Sequence, residues 1–317
     1  MLPERADVVI LGAGLAGAST AWHLRGAGVT DLVVLERRAA PGLEASGHNA
    51  AILRLPESPP LLAAWARESR TVLEALGVVH ETGGLLVGGG DEAPPDEHPL
   101  AQVRGRQAPR AGVVDVPRLL ALYLRDVMVL AGVTAELPTP VRAGWRVPTD
   151  VGTIDARVVV NATGAWAGRF GAGDLVPTRR HVAISAQDPR AHPDLPWLWD
   201  LATAWYVRPW EGAWLLCIGD EVPVDPDADT SPDPTVLAAI EERFEGLLEP
   251  LARPRLARAW TGHRTFAQDR LPRVGEDDRR PGLVHVAALG GHGVTVSPAA
   301  GRAAADAVRA ILARPGG

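Results

Sequence analysis

Apolar residues at the start of the chain gather into short runs separated by glycine. Residues 7–11 form an apolar run of strand length, 12–17 a glycine-rich turn, 18–26 a small-residue helix and 32–35 a second apolar run. Together they read as one βαβ unit. Leu61, Leu62, Trp65, Leu73 and Leu76 recur at helical spacing across 58–76, while 83–95 alternates apolar positions with Gly and Pro before turning acidic. The segment 88–99 reads as an exposed loop. Asp115 and Pro117 mark the N-cap and first turn of a helix predicted over 116–131, followed by strands at 133–135 and 156–160. Strands predicted at 180–185, 204–208 and 214–218 carry much of the tryptophan, as in an antiparallel sheet with one covered face. After an Asp/Pro-rich surface loop from Glu221, a helix is predicted over 235–248 and a buried strand over 283–288. Ser297 and Pro298 then open a final alanine-rich helix. No solenoid repeat occurs, and the most apolar segment, 8–22, is broken by glycines, so no membrane-spanning helix is predicted.

Composition narrows the partners. At 317 residues, 46% hydrophobic and 22% charged, the chain is long enough for two folded domains and far from disorder. A net charge of −6 leaves no electrostatic footprint for nucleic acid or an anionic membrane, which makes a small molecule the default partner. All 32 basic residues are arginine, and the absence of lysine removes Schiff-base chemistry and the lysine-dependent phosphate loop. Cys217 is the single cysteine, so no internal disulfide can form. No basic region followed by an apolar run and cleavage site opens the chain, and a cytoplasmic location is expected.

Gly12, Gly14 and Gly17 satisfy GxGxxG after a strand and at the start of a helix, with Glu36 at the end of the next strand. The first glycine permits a tight turn, the second a close backbone approach to a pyrophosphate, and the third close packing of helix on strand. Glu36 can accept ribose hydroxyls and disfavours a 2′-phosphate. A dinucleotide with an ADP half is predicted. Three further ligand-shaped turns lie far apart in sequence, at 45–51 (ASGHNAA), 158–166 (VVVNATGAW) and 290–298 (GGHGVTVSP), and one long cofactor could touch all of them.

On these motifs the sequence resembles the FAD-dependent amino-acid and amine oxidoreductases of the D-amino acid oxidase superfamily, which includes glycine and sarcosine oxidases. It looks most like the D-arginine dehydrogenase type. Seven ordered motifs carry the similarity across the chain: DVVILGAGLAGAST, VVLERR, ASGHNAA, VVNATGAWA, AWYVRP, RAWTGHRTFAQDRLPRVG and HVAALGGHGVTVSPAAG. The fold implied is α/β. A discontinuous Rossmann-type FAD-binding domain (1–80, 113–170, 258–317) is joined to a second, mainly antiparallel β-sheet domain for the substrate (81–112, 171–257).

The resemblance also implies site residues. Gly12, Gly14, Leu15, Ala16, Gly17 and Glu36 would hold the ADP half, with Arg37 and Arg38 beside the adenosine and Val141 making backbone bonds to adenine. Ser46, Asn49, Ala50 and Ala51 would line the pyrophosphate and flavin, and Ala162, Gly164 and Trp166 would close the ADP side. Gly291, His292, Gly293, Val294 and Thr295 would approach the flavin, with the positive end of a helix beginning near Pro298 aimed at its pyrimidine ring. Arg264 would pair with the substrate carboxylate and Tyr206 would add a hydroxyl to it. Arg180, or its neighbour Arg179, would supply a second arginine, and Ile52 would face the substrate. His292 is a candidate for substrate contact or proton handling.

The departures matter too. Ile52 and Glu57 stand where the D-arginine dehydrogenase type has a histidine and a tyrosine, and Gly83 or Gly84 where it has a side-chain-binding glutamate. Gly262 stands near the cysteine that attaches flavin in the sarcosine oxidase type, so the FAD is expected to be noncovalent. The implied reaction is oxidative deamination of a small D-amino acid or glycine-like substrate, with oxygen or a carrier as electron acceptor. An N-methyl amine or 2-hydroxy acid as substrate, and a noncatalytic FAD-binding subunit, are the alternatives. No HExxH, helical His pair or GxSxG elbow appears, so neither a metal site nor an acyl-transfer hydrolase is predicted.

Overall fold

The computed structural model describes all residues except 56–58, 89–95, 99–100, 109, 246, 248–252 and 315–317; the side chains of 96–98 and 101–104 are also outside the description. The first half of the chain begins with β1 (Arg5–Leu11), α1 (Leu15–Gly26), β2 (Leu32–Glu36), β3 (Ile52–Leu53), α2 (Pro60–Ala75) and β4 (Val79–His80). It continues through β5 (Gly84–Val87), β6 (Asp96–His98), β7 (Ala101–Gln107), β8 (Gly112–Val114) and α3 (Val116–Tyr123). Next come β9 (Met128–Ala131), β10 (Thr139–Val141), β11 (Gly144–Thr149) and β12 (Gly152–Asn161). The second half holds β13 (Leu175–Ser185), β14 (Trp197–Asp200), β15 (Tyr206–Trp210), β16 (Ala213–Cys217), β17 (Val222–Pro223) and α4 (Pro234–Phe244). It closes with β18 (Leu256–Ala267), β19 (Arg273–Asp277), β20 (Arg280–Ala287) and α5 (Gly293–Leu312).

Two sheets divide the work. In the first, β9, β2, β1, β12 and β20 run parallel, the arrangement that sequential βαβ units produce. The long β12 meets β11 along its first half and β20 along its second, so β10 and β11 form an antiparallel flank and β19 hangs on β20. Strands buried on both faces need apolar side chains throughout, and Val8, Ile10, Val34, Val158, Val160 and Val284 fill one side against α1 and α5. Val9, Leu11, Val33, Leu35, Trp145 and Val159 fill the other.

The second sheet is mainly antiparallel, in the order β17-β13-β16-β15-β14-β5-β7-β6 with β18 alongside β13. Alternation sorts its two faces. Ala183, Trp205, Val207, Trp214 and Leu216 pack beneath α4 with Ile240 and Phe244. Val182, Tyr206, Leu215 and Cys217 project from the opposite face toward Ala50 and Ile52 of the first half. The boundary read at 258 cuts through β18, which pairs along its length with β13 of this sheet.

Several predicted elements differ from those observed. The helix read over 116–131 starts as expected, with the Asp115 carboxylate accepting from the Arg118 amide at 3.0 Å, but ends at Tyr123. Asp126 takes a left-handed backbone (φ +60°), which no helix continues through, and 128–131 becomes β9 beside β2. Residues 133–135 form no strand beyond one isolated bridge from Ala135 to Thr149. The final helix starts at Gly293, so Pro298 sits inside it instead of opening it. The amide of the next residue, Ala299, turns to the Ser69 hydroxyl at 3.1 Å. Most of the loop read at 88–99, Glu57, and the end of the helix read to 248 lie outside the described residues. Among the described residues, no helix is long and apolar enough to cross a membrane.

Candidate active site

A cavity of about 430 Å³ runs from Glu36 and Arg37, past the β1–α1 turn, to Arg264 and Gly290–Gly291 on the second sheet's side. Its floor is backbone. Gly12 has φ +101°, and a Cβ there would lie 2.6 Å from the Ala162 carbonyl; one at Gly17 would lie 2.0 Å from the Gly12 carbonyl. Gly14, Leu15 and Ala16 line the cavity at the start of α1, and the Leu15 amide donates to the Ser46 hydroxyl at 2.8 Å. Glu36 is buried, its carboxylate accepting from the Ala13 amide at 2.9 Å and the Arg38 amide at 2.8 Å. Each oxygen keeps a lone pair for a hydroxyl.

The mouth beside Glu36 is built by charge and aromatic contact. The Arg37 guanidinium lies 3.5 Å over the Trp166 ring, and the Trp166 indole donates to Asp227 at 2.7 Å. Arg169 pairs with Asp227 and, at 2.6 Å, with Asp225, and these contacts hold the Asp227 carboxyl below its usual range. Thus the acidic loop after Glu221 crosses from the second sheet to the first. Arg38 does not line the cavity; its Nε is tied to Glu44 at 2.5 Å. Ala162, Gly164 and Trp166 do line it, and Asn161 sets their turn by donating to the Ala167 carbonyl at 2.9 Å and accepting from the Thr163 hydroxyl at 2.7 Å.

Val141, expected beside adenine, lies in the antiparallel hairpin β10–β11 at the sheet's edge, exposed and not among the residues that line the cavity. The wall there is Val133–Ala135, placed because the Gly132 amide donates to the Arg38 carbonyl and the Val133 amide to the Glu36 carbonyl at 3.0 Å.

Between the two ends, Ser46 and Asn49 line the cavity, and Asn49 shapes their loop by donating to the Ser46 carbonyl and accepting from the Ala51 amide, both at 2.7 Å. Ala50 and Ala51 are buried just behind, and Arg208 of β15 clamps the loop by donating to the Ala50 carbonyl at 2.6 Å. Gly291, Gly293 and Val294 line the cavity where α5 begins, so the helix's positive end lies at Gly293, five residues before the predicted start. Thr295 is buried one step further on, its hydroxyl 3.5 Å from the Ile52 carbonyl.

Arg264 is 9% exposed, lines the cavity and packs its side chain against Gly291. Its guanidinium donates to backbone carbonyls, those of His263 at 2.9 Å and His48 at 3.5 Å, and among the described residues no carboxylate pairs with it. Burial pulls its pKa down. Tyr206, 2% exposed, lies beside Arg264, Arg180 and Cys217, and burial pushes its phenol well above the ordinary tyrosine value. Arg180 is the member of the Arg179–Arg180 pair that shares this face, but its charge is met: it donates to Glu221 at 2.8 Å and to the Asp220 carbonyl at 3.0 Å. Ile52 packs in the same cluster as Tyr206. His292 is the N-cap of α5; burial and the charges of Arg54 and Arg180 lower its pKa to about 4, and its Nδ1 is buried without a partner.

Sequence reasoning passed over Arg54, Asp227 and Val133, which only folding joins to the motifs, and gave no role to Arg208 and His263, although they stand inside AWYVRP and RAWTGHRTFAQDRLPRVG. The acidic loop was the one visible hint, for Asp227. Among the described residues no cluster of three His, Cys, Asp or Glu side chains could hold a metal ion. The glycine floor, the Glu36 lone pairs and the α5 start fit a dinucleotide such as FAD: Gly12 to Ala16, Glu36 and Ser46 would hold its ADP half, and Asn49 with Gly291 to Val294 the flavin end.

Comparisons with known proteins agree. Over 97% of its length the fold matches glycine oxidase from Geobacillus kaustophilus, with TM-score 0.83, 22% identity and 95% of that chain covered. It matches L-proline dehydrogenase from P. horikoshii with TM-score 0.85 and 20% identity, over 96% of this chain and 93% of that one. Among curated proteins, it is 26% identical over 373 aligned positions to 4-methylaminobutanoate oxidase (formaldehyde-forming) of Paenarthrobacter nicotinovorans, covering 99% of this chain and 45% of the relative. Mitochondrial dimethylglycine dehydrogenase of Rattus norvegicus is 25% identical, over 65% of this chain and 30% of the relative. The chain therefore spans less than half the length of these curated relatives. The family model described as DAO, FAD dependent oxidoreductase, matches residues 7–106 and 90–307, and the chain belongs to this family of FAD-dependent oxidoreductases.

Proposed function

We propose that the chain oxidises the C–N bond of a small amino acid: hydride leaves the carbon bearing the amine, and the resulting imine is hydrolysed by water to an oxo acid and ammonia. The carrying observation is Arg264, a buried guanidinium on the cavity wall with no carboxylate partner among the described residues. An uncompensated buried charge is costly, and a substrate carboxylate would offset that cost with two parallel hydrogen bonds. FAD, when bound, supplies the hydride acceptor. The rest is position. Tyr206 supports the same carboxylate, and the carbonyls of Gly290 and Gly291 are available to a neutral amine. His292, neutral at ordinary pH, caps the helix start beside these glycines and adds no positive charge there. In this reading the first sheet serves the cofactor and the second the substrate, with oxygen or a carrier as the final acceptor. A second reading, an N-methyl amine, is favoured by the names of the two curated relatives.

Anaerobic mixing of the yellow holoprotein with D- and L-amino acids, glycine and N-methyl amino acids tests both readings. One class should bleach the flavin, and its decarboxylated counterparts should not. Equal reduction by the decarboxylated amines would remove the role given to Arg264, and readmitting air would separate oxygen from a carrier as acceptor.

A further inference from the structure

Arg264 is not the only guanidinium near Gly290–His292 that lacks an anion. Arg54 follows β3, two positions beyond Ile52. Because successive side chains alternate, Leu53 turns into the core behind, while Ile52 and Arg54 face the second sheet. The Arg54 guanidinium carbon lies 4.5 Å from the centre of the Trp199 ring, and Trp199 stacks on Tyr206 at 4.6 Å and 17°. Tyr206 in turn lies beside Arg264. The four side chains make one continuous row, a cation at each end and two stacked aromatic rings between, and the row meets the cavity at Arg264. Both cations also bear on the same loop: Arg264 packs on Gly291, and the charge of Arg54 is felt at His292.

Among the described residues, no carboxylate pairs with Arg54, and burial lowers its pKa with no opposing anion. The acids beside Arg180 and next to Trp199 are committed elsewhere: Glu221 to Arg180 and Arg270, Asp220 to His181, and Asp200 to the amides of Ala202 and Thr203. Gly83 and Gly84, the two positions matched to a side-chain-binding glutamate, supply no acid, and at Gly84 a Cβ would lie 2.4 Å from the Trp197 indole. A row that among the described residues holds no free acid, but two cations without a carboxylate, selects against a cationic side chain and for an anionic one.

We infer that the substrate carries two carboxylates: one on Arg264, and a second, at the end of its side chain or N-substituent, on Arg54 across the Trp199–Tyr206 stack. The inference rests on the assignment of Arg264 proposed above and adds Arg54 as a specificity-determining residue.

Matched unreactive acids separate the two assignments. The FAD holoprotein is titrated with glutarate and with valerate, following the perturbation of the flavin absorbance bands. Glutarate should bind at least tenfold more tightly than valerate. Arg54→Met should erase that advantage and leave valerate unchanged, Arg54→Lys should keep part of it, and Arg264→Met should weaken both acids. Equal binding of the two acids by the unaltered protein, or a glutarate preference that survives in Arg54→Met, would overturn the inference while leaving Arg264 in place. Failure of both acids to perturb the flavin would overturn it together with the role of Arg264.

Discussion

The two ends of the cavity are built from opposite materials. At the nucleotide end, polar groups are already answered: Glu36 accepts from two backbone amides, the Leu15 amide donates to Ser46, and Arg37, Arg169 and Asp227 satisfy one another. At the sheet end, no carboxylate pairs with Arg264 or Arg54 among the described residues, and the Nδ1 atom of His292 has no hydrogen-bond partner. A region that recognises one fixed cofactor can be rigid backbone, set by glycine positions and pre-paired charges. A region that must admit and release substrate leaves its electrostatic cost unpaid until the ligand arrives. If this contrast is right, damage at the first end should remove the cofactor, and damage at the second should remove turnover while sparing the fold.

The largest effect is predicted at the nucleotide end. Gly17→Val places a branched side chain where even a Cβ would lie 2.0 Å from the Gly12 carbonyl, forcing α1 away from β1. The variant should purify colourless, stay colourless with added FAD, and melt well below the unaltered protein. A yellow Gly17→Val protein would mean that the cradle is more pliable than its backbone contacts indicate.

At the sheet end, Arg264 and Arg180 form an internal control, since both are buried arginines on one face but only Arg180 has an acid, Glu221. Truncating one member of a buried charged contact costs about 2–5 kcal/mol, so Arg264→Met should lower kcat/KM on a carboxylate-bearing amine by roughly 10²-fold or more while FAD is retained. Its Tm should hold or rise, because an uncompensated charge has left the interior. Arg180→Met should instead lower Tm, because it breaks the bonds to Glu221 and to the Asp220 carbonyl, although Arg270 keeps its pair with Glu221. A fall in Tm for both variants would erase the distinction between answered and unanswered cations.

The same division explains what could be read from the chain. The nucleotide end was readable because its determinants are local: glycines within six residues, and an acid at the end of the next strand. Arg264 and Tyr206 emerged through motif resemblance, yet their geometry depends on β13, β15 and β18 lying together, a non-local fact. Arg54 sits in no motif and gains meaning only from Trp199, which belongs to a distant strand. The misplaced Val141 and the helix extended past Tyr123 share one cause. After Asp126 turns left-handed, the chain pairs β9 with β2 and drops Val133 beside Glu36, and none of these partners is a sequence neighbour. Pro298 misled for the opposite reason, because a strong local signal for a first-turn proline was overridden by packing of α5 against α1 and α2.

His292 lies at the seam between the two ends, with Arg54 and Arg180 as its charged neighbours. Its pKa falls from 6.5 toward about 4 on folding, so the unfolded chain binds the extra proton in that window. The stability it permits is present above 6.5 and is lost as pH falls toward 4. His23, His263 and His285 are lowered too and add in the same direction, so the His292 contribution is read by difference. Across that range, His292→Gln should flatten the slope of unfolding free energy by up to about 1.4 kcal/mol per pH unit. Urea unfolding at a series of pH values measures it, and an unchanged slope would place the ring in water.

The smallest effect is predicted where the first end is most exposed. Asp227 joins the acidic loop to Arg37, Arg169 and Trp166 over the cavity mouth, but it and Arg169 are about half exposed. Exposed pairs contribute about 0–1 kcal/mol and are screened by salt. Asp227→Asn keeps the shape and removes the charge, so it should speed FAD release no more than about fivefold at low salt. That difference should vanish at high ionic strength, because what remains is the indole contact, which an amide oxygen can still accept. A large effect that persists in salt would show that the loop fastens the cofactor by packing, not by charge. The nucleotide end would then depend on the second sheet as much as the substrate end does.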